Sequence, residues 1–317
     1  MSRCVSQALP IFRALADATR LRILQLVRRM ELSVGELAQV LGQSQPRVSR
    51  HVKILCDAGL LERRKEGSWV FVALGAPDAV APVAAALDAW GGDDHWTQAD
   101  AARLQAVRAD RAAAAAGWFE AHAQEWDAIR SLHVAESEVE AAMADLLGDG
   151  AVGTLVDIGT GTGRMLELFG EQAKLAMGVD RSSEMLRLAR AKLGSAAELR
   201  QADLYRLPLA DGAADVAILH HVLHFTTEPD AAIAEAARVL GPGGRLLIAD
   251  FAPHDREELR ARDAHTRLGF GDEQIGGWFT AAGLALARVE TLEGGALTVK
   301  LWLGRKAGVR LQEVKAA

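Results

Sequence analysis

The run Val156-Asp157-Ile158-Gly159-Thr160-Gly161-Thr162-Gly163 constrains the fold of this chain more than any other feature. It reads as a buried strand that breaks into a glycine-rich turn and then a helix. Glycines at 159, 161 and 163 let the backbone turn sharply and let a ligand lie directly against main-chain N–H groups. Asp157 sits where the strand ends, and a second acid, Asp180, closes the next apolar stretch, Leu175-Ala176-Met177-Gly178-Val179. Two such acids point to a nucleoside pocket at the carboxyl edge of a parallel sheet. A dinucleotide fingerprint needs G-x-G-x-x-G, with its last glycine or alanine three residues beyond the second. Here that place is Arg164. The pyrophosphate reading therefore weakens.

Further elements follow in order. Ala202-Asp203-Leu204 comes after the apolar-polar run from Ala197 to Gln201, and Asp215-Val216-Ala217-Ile218-Leu219 reads as a fourth strand. Arg238-Val239-Leu240-Gly241-Pro242-Gly243-Gly244 reads as the turn before a fifth. Taken together, over about residues 151–303, these elements resemble class I S-adenosylmethionine-dependent methyltransferases. The resemblance implies an α/β Rossmann-like domain with a mostly parallel seven-stranded sheet and S-adenosylmethionine as cofactor. It puts Asp157, Gly159, Gly161 and Gly163 in the first cofactor motif, Asp180 on the ribose, and Asp203 with Leu204 at the adenine. Arg181, Met185 and His220 complete the implied cofactor contacts. The bland alternative is a generic doubly wound domain with a nonfunctional pocket.

Composition separates the two ends of the chain. Residues 1–75 carry 12 Lys+Arg against 6 Asp+Glu, a net +6, whereas the whole chain is −6 and the remainder therefore −12. An amino-terminal surface that meets polyanions, joined to an acidic body, is the expectation. At 317 residues, two domains and a connecting segment are natural. No stretch approaches the ~18–20 apolar residues of a membrane span, and two cysteines, Cys4 and Cys56, fit a reducing compartment. A soluble cytoplasmic protein with no membrane partner is expected.

Residues 9–75 read as a helical unit finished by a hairpin. Leu21, Ile23, Leu24, Leu26 and Val27 give one apolar face, and Val34, Leu37, Ala38 and Leu41 a short helix ended by Gly42. Ser44 suits an N-cap and Pro46 the first turn of the next helix. That helix turns Val48, Val52 and Leu55 inward and leaves Gln45, Arg47, Ser49, Arg50 and Lys53 mostly outside. Two short helices joined by a glycine turn are a helix-turn-helix. Leu60 to Arg64, the Lys65-Glu66-Gly67-Ser68 turn and Trp69 to Leu74 add a hairpin wing whose basic tip can reach phosphates.

Leu15-Ala16-Asp17-Ala18-Thr19-Arg20-Leu21-Arg22-Ile23-Leu24, Ser49-x-His51-Val52-x-x-Leu55 and Ala58-Gly59-Leu60-Leu61 carry a second resemblance. Over roughly the first 90 residues the chain resembles ArsR-type winged-helix transcriptional regulators. That implies double-stranded operator DNA as partner and a homodimer, with the apolar helix near Val80–Trp90 as a dimer face. The DNA-contact candidates are Gln45, Arg47, Ser49, Arg50, His51, Lys53, Arg63, Arg64 and Lys65. A winged helix that only binds protein is the alternative. Many such regulators sense metals through Cys-x-Cys or His/Asp/Glu clusters. Cys-x-Cys is missing here, and Asp93, Asp94 and His95 read as a solvated linker.

The expected organisation is a winged helix-turn-helix over 1–92, a helical linker and active-site cover over 93–150, and the methyltransferase domain over 151–310. In the linker, Trp118-Phe119-x-x-His122-Ala123-x-x-Trp126 is similar to the aromatic helix that covers the active site in ubiquinone-biosynthesis-type methyltransferases. Packing of an aromatic face between two domains explains it equally well.

Methyl transfer needs in-line alignment, desolvation and, for a protonated acceptor, a base. His221 and His224, after the fourth strand, are the catalytic candidates, with His220 beside them and His254 and His265 after the fifth. His220 and His224 would share a helical face as zinc ligands do, but the glutamate of H-E-x-x-H is replaced by His221. No metal centre is expected. Leu219-His220-His221-Val222 lacks the Asp/Asn-Pro-Pro-aromatic motif that grips a flipped base, and residues 57–317 contain no cysteine for arsenite methylation. A small-molecule acceptor remains. Two functions stay open: a DNA-binding regulator with an active small-molecule methyltransferase domain, or a non-catalytic repressor that senses S-adenosylmethionine or S-adenosylhomocysteine.

Overall fold

A computed structural model of the chain describes residues 2–66, 69–90, 98–107, 109, 136–148, 152–293 and 296–308. They divide into two units, Met1–Ala112 and Ala113–Ala317. Among the described residues no helix is long and apolar enough to cross a membrane. The aromatic segment Trp118 to Trp126, the linker group Asp93-Asp94-His95 and the Gly67-Ser68 turn lie outside the described residues.

The first unit runs α1 (Ser2–Leu15), α2 (Ala18–Val27), β1 (Leu32–Ser33), α3 (Val34–Leu41), α4 (Gln45–Asp57), β2 (Leu61–Glu66), β3 (Trp69–Leu74) and α5 (Pro77–Trp90). Its helix boundaries follow local chemistry. Asp17 caps α2 by accepting the Arg20 amide. Ser33 and Glu36 close a reciprocal capping box on α3, which ends at Gly42 in the left-handed region. Ser44 stands at the N-cap of α4 but its side chain makes no capping bond. Antiparallel β2 and β3 form the wing, and β1, too short to be legible in the sequence, adds a third strand beside β3. The core joins Ile23, Leu24, Leu37, Val40, Val48, Val52, Leu55 and Leu60. Leu104 and Val107 are buried in that same core, so the helical stretch 98–107 folds with the first unit, beyond residue 92.

The second unit is a seven-stranded sheet in the order β6-β5-β4-β7-β8-β10-β9. These strands are β4 (Val152–Ile158), β5 (Ala173–Asp180), β6 (Glu198–Gln201), β7 (Ala214–His220), β8 (Leu240–Phe251), β9 (Leu284–Leu292) and β10 (Val299–Lys306). The first five pair in parallel, and β10 runs antiparallel to both β8 and β9. Alternation sorts side chains to two buried faces. Val156, Ile158, Ala217, Leu219 and Ile248 pack with helices Pro229–Val239 and Asp272–Ala281. Leu155, Val216, Ile218, Leu247 and Ala249 pack with helices Glu136–Leu147 and Arg164–Phe169. The stretch Gly241–Gly244 does not precede the fifth strand but lies inside β8, where a register irregularity opposite Ala214 and Val216 absorbs it. Strand order reverses between β4 and β7, which opens a crevice at their carboxyl ends.

Candidate functional site

Gly159, Gly161 and Gly163 all hold positive φ, at 74°, 53° and 84°, and turn the chain from β4 into helix Arg164–Phe169. A Cβ on Gly159 would lie 2.6 Å from Val222 Cγ2, and one on Gly163 2.7 Å from Leu193 Cδ1. Asp157 is buried and accepts the Thr160 hydroxyl at 2.6 Å. Asp180, at the end of β5, accepts the Gly161 and Ser182 amides at 2.8 Å each. Burial pushes the Asp180 carboxyl up, against the pull of the Ser182, Gly161 and Arg181 amides. A carboxylate has about four acceptor positions, so Asp180 retains capacity for a hydroxyl. This cradle fits S-adenosylmethionine: a turn of three glycines that brings no side chain of its own toward a ligand, and an acid at the neighbouring strand end.

The other cofactor candidates differ among themselves. Asp203 is exposed and accepts the Tyr205 amide at 3.0 Å, and Leu204 is half-buried. Arg181 is exposed, with its carbonyl accepting from Gln201. Met185 is buried at 2% exposure, inside the helix Ser183–Leu193. His220 ends β7 and its Nε2 lies 3.3 Å from Glu136. No local pattern marks Tyr205, the chain's single tyrosine, whose hydroxyl accepts the Thr227 and Glu228 amides at 3.1 Å and so ties this loop to the next.

After His220 the chain does not continue as a helix. His221 takes φ 53°, its amide donating to the Ala249 carbonyl, and a short 3-10 turn covers Leu223–Phe225. This separates His220 from His224 and brings His221 and His224 together with Asp250. All three are buried, and one donor atom from each lies within 4.8 Å of the other two. His224 Nδ1 is 2.7 Å from Asp250 Oδ1. Burial pushes the Asp250 carboxyl up to about 6, against the charge of His221 and the amides of Phe251, His224 and Leu223. Phe225, Phe251 and His265 surround the His224 ring at centroid distances of 3.9, 4.8 and 4.3 Å. His254 lies farther out, 6.4 Å from His265. Sequence reasoning missed Asp250, although an acid closing an apolar parallel strand is the signal that marked Asp157 and Asp180.

In the first unit α4 presents Gln45, Arg47, Arg50 and Lys53 to solvent and buries Val48, Val52 and Leu55. Ser49 and His51 are half-buried, and His51 Nδ1 lies 3.7 Å from Asp17. The Arg63 guanidinium donates to the Ser49 carbonyl at 2.7 Å, which ties the wing to α4. Arg64 is ion-paired with Glu31, and Lys65 is exposed. The nine DNA-contact candidates thus divide into five exposed tips and four side chains engaged in or partly covered by the fold.

Residues 17–63 match the family described as bacterial regulatory protein, arsR family, and residues 156–248 match a methyltransferase domain. The arsenical resistance operon repressor of Escherichia coli is 43% identical over 99 residues, 30% of this chain and 84% of the repressor. An uncharacterized methyltransferase of Geobacillus thermodenitrificans is 31% identical over 129 residues, 40% of this chain and 60% of that protein. Matches to the first curated relatives span between 40% and 84% of their lengths. A solved complex of the Haloferax volcanii Trm112 methyltransferase activator with a methyltransferase shares the fold. It is 20% identical with a TM-score of 0.51, over 60% of this chain and 97% of that one.

Proposed function

We propose, since this chain belongs to the arsR family of bacterial regulatory proteins and carries a methyltransferase domain behind its winged helix, that it is a DNA-binding regulator whose second domain methylates a small molecule. One observation carries the catalytic part. Val222 roofs Gly159 in the cofactor cradle, and two residues later His224 pairs with buried Asp250, so the segment after β7 touches the cradle and carries the base.

When bound, S-adenosylmethionine supplies a methyl group already activated on a sulfonium. The protein's task is to align the acceptor, exclude water and take a proton. In the tautomer that donates Nδ1–H to Asp250, His224 keeps a lone pair on Nε2 for the acceptor's proton. Asp250 then stabilises the imidazolium, and the rings of Phe225, Phe251 and His265 keep water out. The ring-lined surroundings of His224 and the missing base-gripping motif support a small acceptor over DNA.

Calorimetry and release of S-adenosylhomocysteine over a panel of low-molecular-weight hydroxyl, thiol and amine acceptors test this. Asp180→Ala should weaken cofactor binding by about 1.5–3 kcal/mol. His224→Gln should leave cofactor affinity in place and cut turnover by about 10²–10⁴. Wild-type turnover in His224→Gln would remove the base, and no cofactor binding by the wild type would remove the domain's activity.

A cofactor-tuned regulator is supported by a separate observation. Asp100 takes Arg22 in a bidentate pair at 2.6 and 2.7 Å and Arg103 at 2.8 Å, and Arg103 also donates to the Val40 carbonyl. Residues leaving the winged helix are therefore clamped to α2 and α3, the supports of α4. Exposed Leu9 and Phe12 on α1 and Trp90 on α5, the last two at 66% and 77% exposure, favour a homodimer.

A further inference from the structure

We propose that His221, His224 and Asp250 form a binding site for one divalent transition-metal ion of the zinc class, and that this ion competes with methyl transfer. The site stands on its own geometry; the competition rests on the methyltransferase reading above.

Two imidazoles and one carboxylate are the donor set of many three-ligand metal sites with an open position. Zinc bonds of about 2.0–2.2 Å place tetrahedral donors roughly 3.3–3.6 Å apart. Donors that already lie within 4.8 Å of one another need only small side-chain adjustments to reach that shell. The three side chains are 5%, 2% and 0% exposed, so water is largely excluded and a bound cation would offset the cost of the buried carboxylate.

The supports are also rigid. Asp250 Oδ1 accepts the Phe251 amide at 2.8 Å and Oδ2 the His224 amide at 3.3 Å. His221 is pinned by its backbone N–H, which donates to the Ala249 carbonyl in the neighbouring strand at 2.8 Å. Such outer contacts fix ligand orientation as metal sites require. The His265 ring, 4.3 Å from His224, stands nearest to supply a fourth ligand. Imidazole and carboxylate donors in a dry pocket suit zinc, nickel or iron(II) better than the water-retaining magnesium.

Ligation consumes what the base needs. An ion on Nδ1 of His224 shifts the imidazole proton to Nε2, and an ion on Nε2 takes the lone pair that would accept the acceptor's proton. Either arrangement stops proton transfer.

Full-length protein, stripped with chelator and dialysed, is titrated with Co²⁺ and then Zn²⁺. We expect one ion per chain, a visible cobalt spectrum of nitrogen and oxygen ligands, and displacement by zinc. His221→Ala and Asp250→Asn should weaken binding at least about tenfold while S-adenosylmethionine still binds in calorimetry. A thiolate charge-transfer band would put the ion on cysteine and overturn the site, and so would the failure of wild type to bind one equivalent. Folded variants that bind like wild type would overturn it too. Should either variant fail to fold, the wild-type cobalt spectrum decides. Cofactor affinity measured on the metal-free protein separates the two readings: wild type that binds the cofactor but no metal ion sinks this site alone. Zinc-saturated turnover equal to that of the metal-free enzyme would remove the competition.

Discussion

Gly159 holds φ at +74° directly beneath the methyls of Val222, with 2.6 Å between an added Cβ and Cγ2. Gly159→Ala therefore meets two costs, the left-handed backbone and the overlap, together about 2–4 kcal/mol. Val222→Ala in the same chain should relieve only the overlap. Urea unfolding of the single and double variants checks this, and a double variant whose loss equals the sum of the two single losses would deny the contact. At this scale much of the site was legible. Glycine spacing marked the turn, because only a residue without Cβ fits there, and acids at strand ends marked Asp157 and Asp180. His224 and its partner Asp250 lie 26 positions apart. Their pairing depends on β7 and β8 lying side by side, which no local pattern encodes. His220 and His224 looked like helical neighbours because their spacing is four, and the left-handed His221 is what separates them.

Two elements carry testable charge arguments. Glu235, on helix Pro229–Val239, accepts the Leu207 amide at 2.6 Å and pairs with Arg238, which also reaches Asp211. The Arg238 guanidinium holds the Glu235 carboxyl below its ordinary value, more strongly than burial raises it. A depressed carboxylate stabilises the fold above its unfolded pKa and loses that contribution as pH falls through the folded value. Wild type should thus lose stability relative to Glu235→Gln on acidification below the ordinary glutamate range. The effect is about 1 kcal/mol for this partly exposed pair, and parallel melting-temperature profiles for the two proteins would contradict it. On α4, Arg50 is exposed, whereas Arg64 of β2 is held by Glu31. Arg50→Ala should lower DNA affinity and reduce the salt slope by about 1. Arg64→Ala should leave that slope alone and cost fold stability. Reversed outcomes in salt-titrated binding would redraw the docking face. The helix-turn-helix and its glycine turn were readable from period and caps, but the Arg64–Glu31 pair was not, since Glu31 is distant in sequence.

For the whole molecule, the charge contrast between a +6 amino end and a −12 remainder agrees with one unit that meets a polyanion and one that does not. The stretch 98–107 belongs with the winged-helix core because Leu104 and Val107 are buried there and Asp100 is clamped by Arg22 and Arg103. Composition alone placed the break earlier, at the Gly91-Gly92 pair, since glycine marks a break more plainly than two buried apolar residues mark a packed helix. We propose that one chain couples cofactor occupancy to operator binding. Fluorescence anisotropy with the gene's own upstream DNA, measured without ligand, with S-adenosylmethionine and with S-adenosylhomocysteine, tests this most directly. A shift in DNA affinity of about fivefold or more between conditions, ~1 kcal/mol of coupling, is the predicted result. Equal affinity in all three would contradict it and leave two independent modules on one chain.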